Sequence, residues 1–308
     1  MIVIRELNQF PSLTHAVVTS GTFDGVHVGH QKILSRLMEA ARQDNGQSVV
    51  ISYWPHPRTV LNPKDDSLRL LSTIEERIEA LREFGVDYLL LLPFTKEFAQ
   101  LSSEEYIQQI LINTIRTKKL VIGYDHRFGK NREGGFDYLQ ENGARYGFTV
   151  EEIPRQDIDA VGVSSSKIRT ALEKGDVATA ARYLGRPYSL TGTVVKGKQL
   201  GRTLGYPTAN VEPQEKLKLV PAQGIYAVTV QTQSGSYKGM LSIGTNPTVQ
   251  GTHQTIEVNI FDFASDLYGQ EITLFFVAYL RPELMFDGLE ALIQQLHQDK
   301  VAALQVLG

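Results

Sequence analysis

The 308-residue chain carries 31 basic and 34 acidic side chains, a formal net charge of −3, and 42% hydrophobic against 21% charged residues. That balance leaves no electrostatic footprint for nucleic acid or an anionic membrane surface, and the absence of cysteine excludes disulfides, thiolate catalysis and zinc–thiolate sites together. The length predicts two domains. No apolar run is long enough to cross a bilayer and Met1 to Glu6 hold no secretory-signal pattern, so the expected location is cytoplasmic.

Strand-like and helix-like segments alternate through the first part. Ala16 to Ser20 reads as a buried strand broken by Gly21-Thr22-Phe23-Asp24-Gly25, and Ile33, Leu34, Leu37, Met38 and Ala41 then fall on one helical face. Ser48 to Trp54 is the next strand. Ser72-Thr73-Ile74-Glu75 reads as a capping box opening a helix with Ile78 and Leu81 inward. Val86 to Phe94 is apolar almost throughout, as in a strand covered on both faces. A second capping box, Ser102 to Glu105, opens a helix with Tyr106, Ile107, Ile110 and Leu111 inward, and strands follow at Lys119 to Tyr124 and Thr149 to Pro154. This alternation predicts a Rossmann-like, doubly wound α/β domain with a parallel sheet over residues 1–185.

From Gly185-Arg186-Pro187 onward the pattern changes. Tyr188 to Val195, Gly224 to Gln231, Tyr237 to Gly244, Thr255 to Phe263 and Glu271 to Leu280 are β-rich and punctuated by glycine and proline, with no helix expected between them. They predict an antiparallel barrel or sandwich over residues 186–308, closed by a helix from Glu283 to Leu307.

Within the first domain, Gly21 to His30 (GTFDGVHVGH) follows a strand and opens a helix. Two histidines at a helix start meet the positive end of the dipole and free backbone N–H groups, which makes an anion site; Gly29 lets a phosphate or base approach the backbone. His27 and His30 are therefore candidate donors to phosphate oxygens. The plainer alternative is a polar cap with two incidental histidines. Val163 to Arg169 supplies serine hydroxyls with Lys167 and Arg169 at another helix start, readable as an oxyanion cradle or as a serine-rich cap. His56, between Pro55 and Pro57, sits in a rigid loop after a strand, suited either to function or to packing on Trp54.

In the second domain Gly197 to Asn210 contains Gly197, Gly201 and Gly205 but lacks Walker A spacing. Its glycines can expose N–H groups to phosphates, and Thr208 and Asn210 offer neutral oxygens suited to Mg²⁺ held mainly by phosphate and water. A plain glycine-rich hairpin is the alternative. Thr255 to Phe261 alternates with period two, so Glu257 and Asn259 share the face opposite Ile256, Val258 and Ile260. Glu257 is a candidate base toward a primary hydroxyl, or an ordinary strand glutamate.

The H-x-G-H turn and the Ser-Ser-x-x-x-Arg run resemble the nucleotidyltransferase superfamily. Together with Pro55-His56-Pro57, Gly123 to Gly129 (GYDHRFG), Pro207 to Asn210, Gly224 to Ala227, Ser242 to Thr248, Glu257 and Arg281-Pro282-Glu283, they resemble the bacterial bifunctional riboflavin kinase/FAD synthetase family along nearly the whole chain. The resemblance implies an adenylyltransferase site where Gly21, Phe23, Asp24, His27, Gly29, His30, Ser165, Ser166 and Arg169 hold ATP and Pro55, His56, Asp125, Arg127 and Phe128 lie near the flavin. For the kinase it implies a six-stranded barrel, ATP at Gly197, Gly201, Gly205 and Pro207, Mg²⁺ and ATP at Thr208 and Asn210, Glu257 as base, and flavin at Arg281 and Glu283. Riboflavin, FMN and ATP would be the substrates, with FMN and FAD as products. Ser166, Lys167, Tyr53 and His126 depart from the family's frequent Thr, Arg, Phe and Phe. The rivals are a class I aminoacyl-tRNA synthetase, disfavoured by length and charge, and a flavin-binding regulator with an inactive half.

Overall fold

β1 (Ile2–Ile4), β2 (Ala16–Ser20), β3 (Gln47–Trp54), β4 (Tyr88–Pro93), β5 (Thr117–Gly123) and β6 (Thr149–Ile153) form one sheet in the order β1-β4-β3-β2-β5-β6, every pair parallel. They belong to a computed structural model that describes residues 1–124, 126–154, 162–197, 200–248 and 251–308, with backbone alone at 200, 246–248 and 251–253. The chain divides into two units, Met1–Ser165 and Ser166–Gly308.

In the first unit successive strand residues supply opposite faces, as the pleat requires. Val18, Val49, Ile51, Leu90 and Leu92 enter one core; Val17, Val50, Leu89, Leu91 and Val121 enter the other. α1 (Val28–Gln43) covers the second face with Leu34 and Leu37. The short α2 (Pro57–Leu61) follows β3, and α3 (Ile74–Phe84) adds Ile74 and Leu81 to that core. The other face is covered by α4 (Ser103–Tyr106), which continues as a wider-turned helix through Ile107–Thr114, and by α5 (Phe136–Tyr146). Tyr106, Ile107, Ile110 and Leu111 are all buried there, as their spacing predicts. The doubly wound α/β expectation holds.

Of the two capping boxes, Ser102 and Glu105 close as expected. The other is displaced by one residue: Thr73 is the cap and Glu76 reaches back to it. Ser72 is drawn instead to Asp24, whose carboxylate accepts from Leu71 N, Ser72 N and Ser72 Oγ at 3.0–3.2 Å.

The second unit is a closed antiparallel barrel, β10-β11-β8-β7-β12-β9, from β7 (Tyr188–Val195), β8 (Ala209–Pro213), β9 (Gly224–Thr232), β10 (Gly235–Thr248), β11 (Gly251–Ile260) and β12 (Glu271–Arg281). Closure leaves no unpaired sheet edge. Tyr226, Val228, Leu241, Ile243, Ile256, Val258 and Phe276 fill the interior, each at most 4% exposed. β8 starts at the end of the glycine-rich run, and a short helix, Leu200–Thr203, precedes it where no helix was expected. The closing helix spans Leu289–Leu307 rather than starting at Glu283, and packs on β9, β10 and β12. Ser165–Glu173 and Val177–Leu184 are helices that precede the expected boundary at 185/186. The second packs on β7 and β12, and Ala222 N donates to Leu172 O at 2.9 Å.

Candidate active sites

The strand order of the first unit reverses between β2 and β5. Open α/β sheets bind ligands at such a switch point, outside the carboxyl ends of the strands. A cavity of about 630 Å³ lies there, lined by the segments that follow β2, β3, β4 and β5.

The GTFDG loop and the start of α1 form one wall. Phe23 adopts a left-handed backbone (φ 48°), turning the chain from strand to helix, and Gly25 does the same at φ 79°. Gly21, Phe23 and His30 line the cavity. His27 caps α1, its Nδ1 accepting from His30 N at 3.3 Å, and the two imidazoles stack with centroids 3.7 Å apart. A Cβ at Gly29 would stand 3.2 Å from the His27 ring and press on the stacked pair. Burial, then His27, then Arg77 lower the His30 pKa well below the ordinary histidine value. His30 is thus a neutral imidazole at neutral pH, and its buried Nδ1 has no protein partner. Asp24 is 2% exposed and braces the loop through Leu71 and Ser72. Ser165 Oγ donates to Asp24 O at 3.4 Å; Ser166 and Arg169 belong to the second unit.

The opposite wall carries His56, Arg127 and Phe128, while Pro55 is exposed and outside the lining. His56 Nδ1 accepts from Arg58 N at 3.2 Å, so it caps α2 as well as facing the cavity. Arg127 Nη1 donates to His126 O at 3.0 Å. Asp125 lies outside the described residues. The lining also holds two polar pairs that were not singled out as site residues: Ser20, whose Oγ lies 2.7 Å from His126 Nε2, and Tyr53, whose hydroxyl lies 2.9 Å from that of Tyr106. Tyr53 and His126 were visible only as polar replacements for phenylalanine.

In the second unit a cavity of about 290 Å³ opens between the outer face of β10 and β11 and the closing helix, which contributes Leu292 and Leu296. Glu257 and Asn259 line it together, as the period-two reading requires, while Ile256 and Val258 point into the barrel. Thr208 Oγ1 donates to Glu257 Oε2 at 3.0 Å, and Asn259 Nδ2 donates to Pro207 O at 2.7 Å, fixing the glycine-rich segment against β11. Gly201 also lines the cavity; a Cβ there would sit 2.3 Å from Tyr206 O, so only glycine permits the approach. Gly205 ends the same turn at φ 79°. Asn210 pairs with Glu257 across the ladder, its side chain against Gly197, and neither lines the cavity. Glu283 lines it above Gly244. The Arg281 guanidinium is engaged by Asp299, Nε to Oδ1 at 2.7 Å and Nη2 to Oδ2 at 2.6 Å, which ties the end of β12 to the closing helix. Among the described residues no group of three or more His, Asp or Glu is placed to hold a metal ion.

A nucleotide-type α/β cavity with an imidazole-bearing helix start, and a barrel whose cavity presents a carboxylate beside a hydroxyl, define a two-domain transferase. The comparisons agree. A family model for FAD synthetase matches residues 9–167 and one for riboflavin kinase matches 184–307. The bifunctional riboflavin kinase/FMN adenylyltransferase of Pseudomonas fluorescens is 39% identical over 98% of this chain and 97% of its own; that of Escherichia coli K12 is 37% identical over 99% and 96%. A crystal structure from Streptococcus pneumoniae, described as a macrolide-efflux protein, superposes with a TM-score of 0.89 at 33% identity over 98% of both chains. In the present chain no helix among the described residues is long and apolar enough to cross a membrane. The chain belongs to the bifunctional riboflavin kinase/FMN adenylyltransferase family.

Proposed function

We propose that residues 186–308 phosphorylate riboflavin and that residues 1–185 adenylylate the FMN produced. As a member of its family the chain is a bifunctional enzyme that makes FMN and FAD with ATP. What supports this division is that each motif set opens onto its own cavity, His30 in the first unit and Thr208 with Glu257 in the second.

In the barrel, Glu257 takes the proton of the ribityl 5′-hydroxyl as that oxygen attacks the γ-phosphorus of ATP; ADP leaves and FMN forms. The donor set near Thr208 and Asn210, neutral oxygens beside one carboxylate, fits a Mg²⁺ that arrives with ATP and keeps most of its coordination to phosphate and water. The ion would neutralise phosphate charge there. Glu283, which lines the cavity, faces the flavin, and Arg281 acts through its pairing with Asp299.

In the α/β unit a phosphate oxygen of FMN attacks the α-phosphorus of a second ATP, a new P–O–P bond forms, and pyrophosphate leaves. Gly21, Phe23, His27, Gly29 and His30 cradle the triphosphate, with Ser165 beside the loop through its bond to Asp24 O. A neutral His30 still donates one N–H to the charge building on the phosphoryl oxygens. Arg127, Phe128 and His56 flank the flavin. The protein works in the cytoplasm and without nucleic acid. Incubation with riboflavin and Mg-ATP, followed by chromatography, yields both FMN and FAD; recovery of neither product refutes the assignment.

A further inference from the structure

Arg77 lies on the inward stripe of α3, is 0% exposed, and sits 5.8 Å from the Trp54 ring. Its Nη1 donates to Ser52 Oγ and to Tyr53 O, both at 3.3 Å, while buried Nε and Nη2 have no partner. A buried guanidinium with unsatisfied donors is costly, and burial lowers its pKa. The nearby buried Asp24 carboxylate opposes that shift but burial outweighs it, so an arginine between Ile74 and Leu81 calls for a further reason.

The contacts of its neighbours give one. Ser52, also 0% exposed, donates its hydroxyl to Thr22 O at 3.3 Å. The chain Arg77 to Ser52 to Thr22 grips one carbonyl of the GTFDG loop from beneath. In a trans peptide the N–H points opposite to the carbonyl, so the Phe23 N–H is turned away from Ser52. Thr22 and Phe23 both line the cavity, and the Phe23 N–H finds no acceptor among the described residues. The segment just before α3 braces the rest of the loop in parallel: Asp24 accepts from Leu71 N and Ser72 N, and Gly25 N donates to Ser72 Oγ at 3.0 Å.

We propose that Arg77 is a positioning residue for adenylyl transfer, holding the Thr22–Phe23 peptide through Ser52 so that the Phe23 N–H is presented to the triphosphate. Arg77 touches no reacting atom. Its fork polarises the Ser52 hydroxyl, fixes which way that hydroxyl points, and keeps a positive charge behind the His30 wall. The inference rests on the adenylyl-transfer reading of the first cavity.

The test uses the full chain with FMN and Mg-ATP, comparing Arg77→Met, Ser52→Ala and the double variant with the unaltered protein. Each single change lowers kcat for FAD formation by about ten- to hundredfold, the scale of a small misplacement. KM for FMN and the rate of riboflavin phosphorylation stay unchanged. Because the two residues act in series, the double variant is no slower than the slower single. Wild-type kcat in either single variant, losses that multiply in the double, or a matching rise in KM for FMN overturns the proposal. Should Arg77→Met fail to fold, Ser52→Ala decides alone, since it removes one hydroxyl and keeps the charge. An unaltered protein that makes no FAD would refute the reading of the cavity, a result distinct from any of these.

Discussion

Thr208 Oγ1 donates to Glu257 Oε2 across 3.0 Å, joining the glycine-rich segment of the barrel unit to β11 inside one cavity. One carboxylate oxygen is held and oriented by that bond; the other can take a proton from a substrate hydroxyl. Glu257→Gln keeps the shape and removes the basicity. Phosphorylation of riboflavin falls by about 10²- to 10⁴-fold while conversion of added FMN to FAD continues, measured by separate assays of the two steps.

Gly201→Ala places a Cβ 2.3 Å from Tyr206 O, a backbone atom that cannot yield without moving the segment that carries Thr208. Riboflavin phosphorylation drops at least about tenfold, the penalty expected when reacting groups are displaced by a fraction of an ångström. Adenylylation is untouched. Equal loss of both activities would show that the change disturbs more than this turn.

Burial, then Arg127, then Arg132 lower the His126 pKa from 6.5 to about 4. As pH falls through 6.5 the unfolded chain takes up a proton that the folded chain refuses, so stability is lost from there down to about pH 4 and no further below it. His126→Phe removes this titration and its contact with Ser20. Thermal unfolding followed from pH 7 to pH 4 therefore shows a smaller decline in the melting temperature of the α/β unit for the variant. A parallel decline in both proteins contradicts the assignment.

The fold was legible where one pattern decided it. Val86 to Phe94 could only be an interior strand, and Tyr106, Ile107, Ile110 and Leu111 could only face inward. β8 escaped because Ala209–Pro213 is short, ends on a proline, and is formed by pairing with β7 and β11 rather than by its own composition. The cap of α3 shifted by one residue because Ser72 had a stronger claim on Asp24, a contact 48 positions away in the chain. Of the candidate sites, His30, Thr208 and Glu257 reach cavities as their motifs suggest, whereas Asp24, Asn210 and Arg281 are engaged by protein groups that only the folded chain brings near. Arg77 did leave a signal: a lone charge on the apolar stripe shared by Ile74, Ile78 and Leu81.

Asp299 is 3% exposed and receives both forks of Arg281, with Gln295 Nε2 adding a third bond at 3.0 Å. Asp299→Ala leaves the guanidinium without its counter-charge and lowers the stability of the barrel unit by about 3–5 kcal/mol. Chemical unfolding of the variant shows that transition at lower denaturant, with the α/β transition unmoved.

The most direct measurement pairs two defective proteins, Glu257→Gln and the His27→Ala/His30→Ala double variant, with riboflavin and Mg-ATP. Alone, the first leaves riboflavin unconverted and the second stops at FMN; mixed, they restore FAD. Formation of FAD from riboflavin by either variant alone, or failure of the mixture, would contradict two chemically separate phosphate-handling sites.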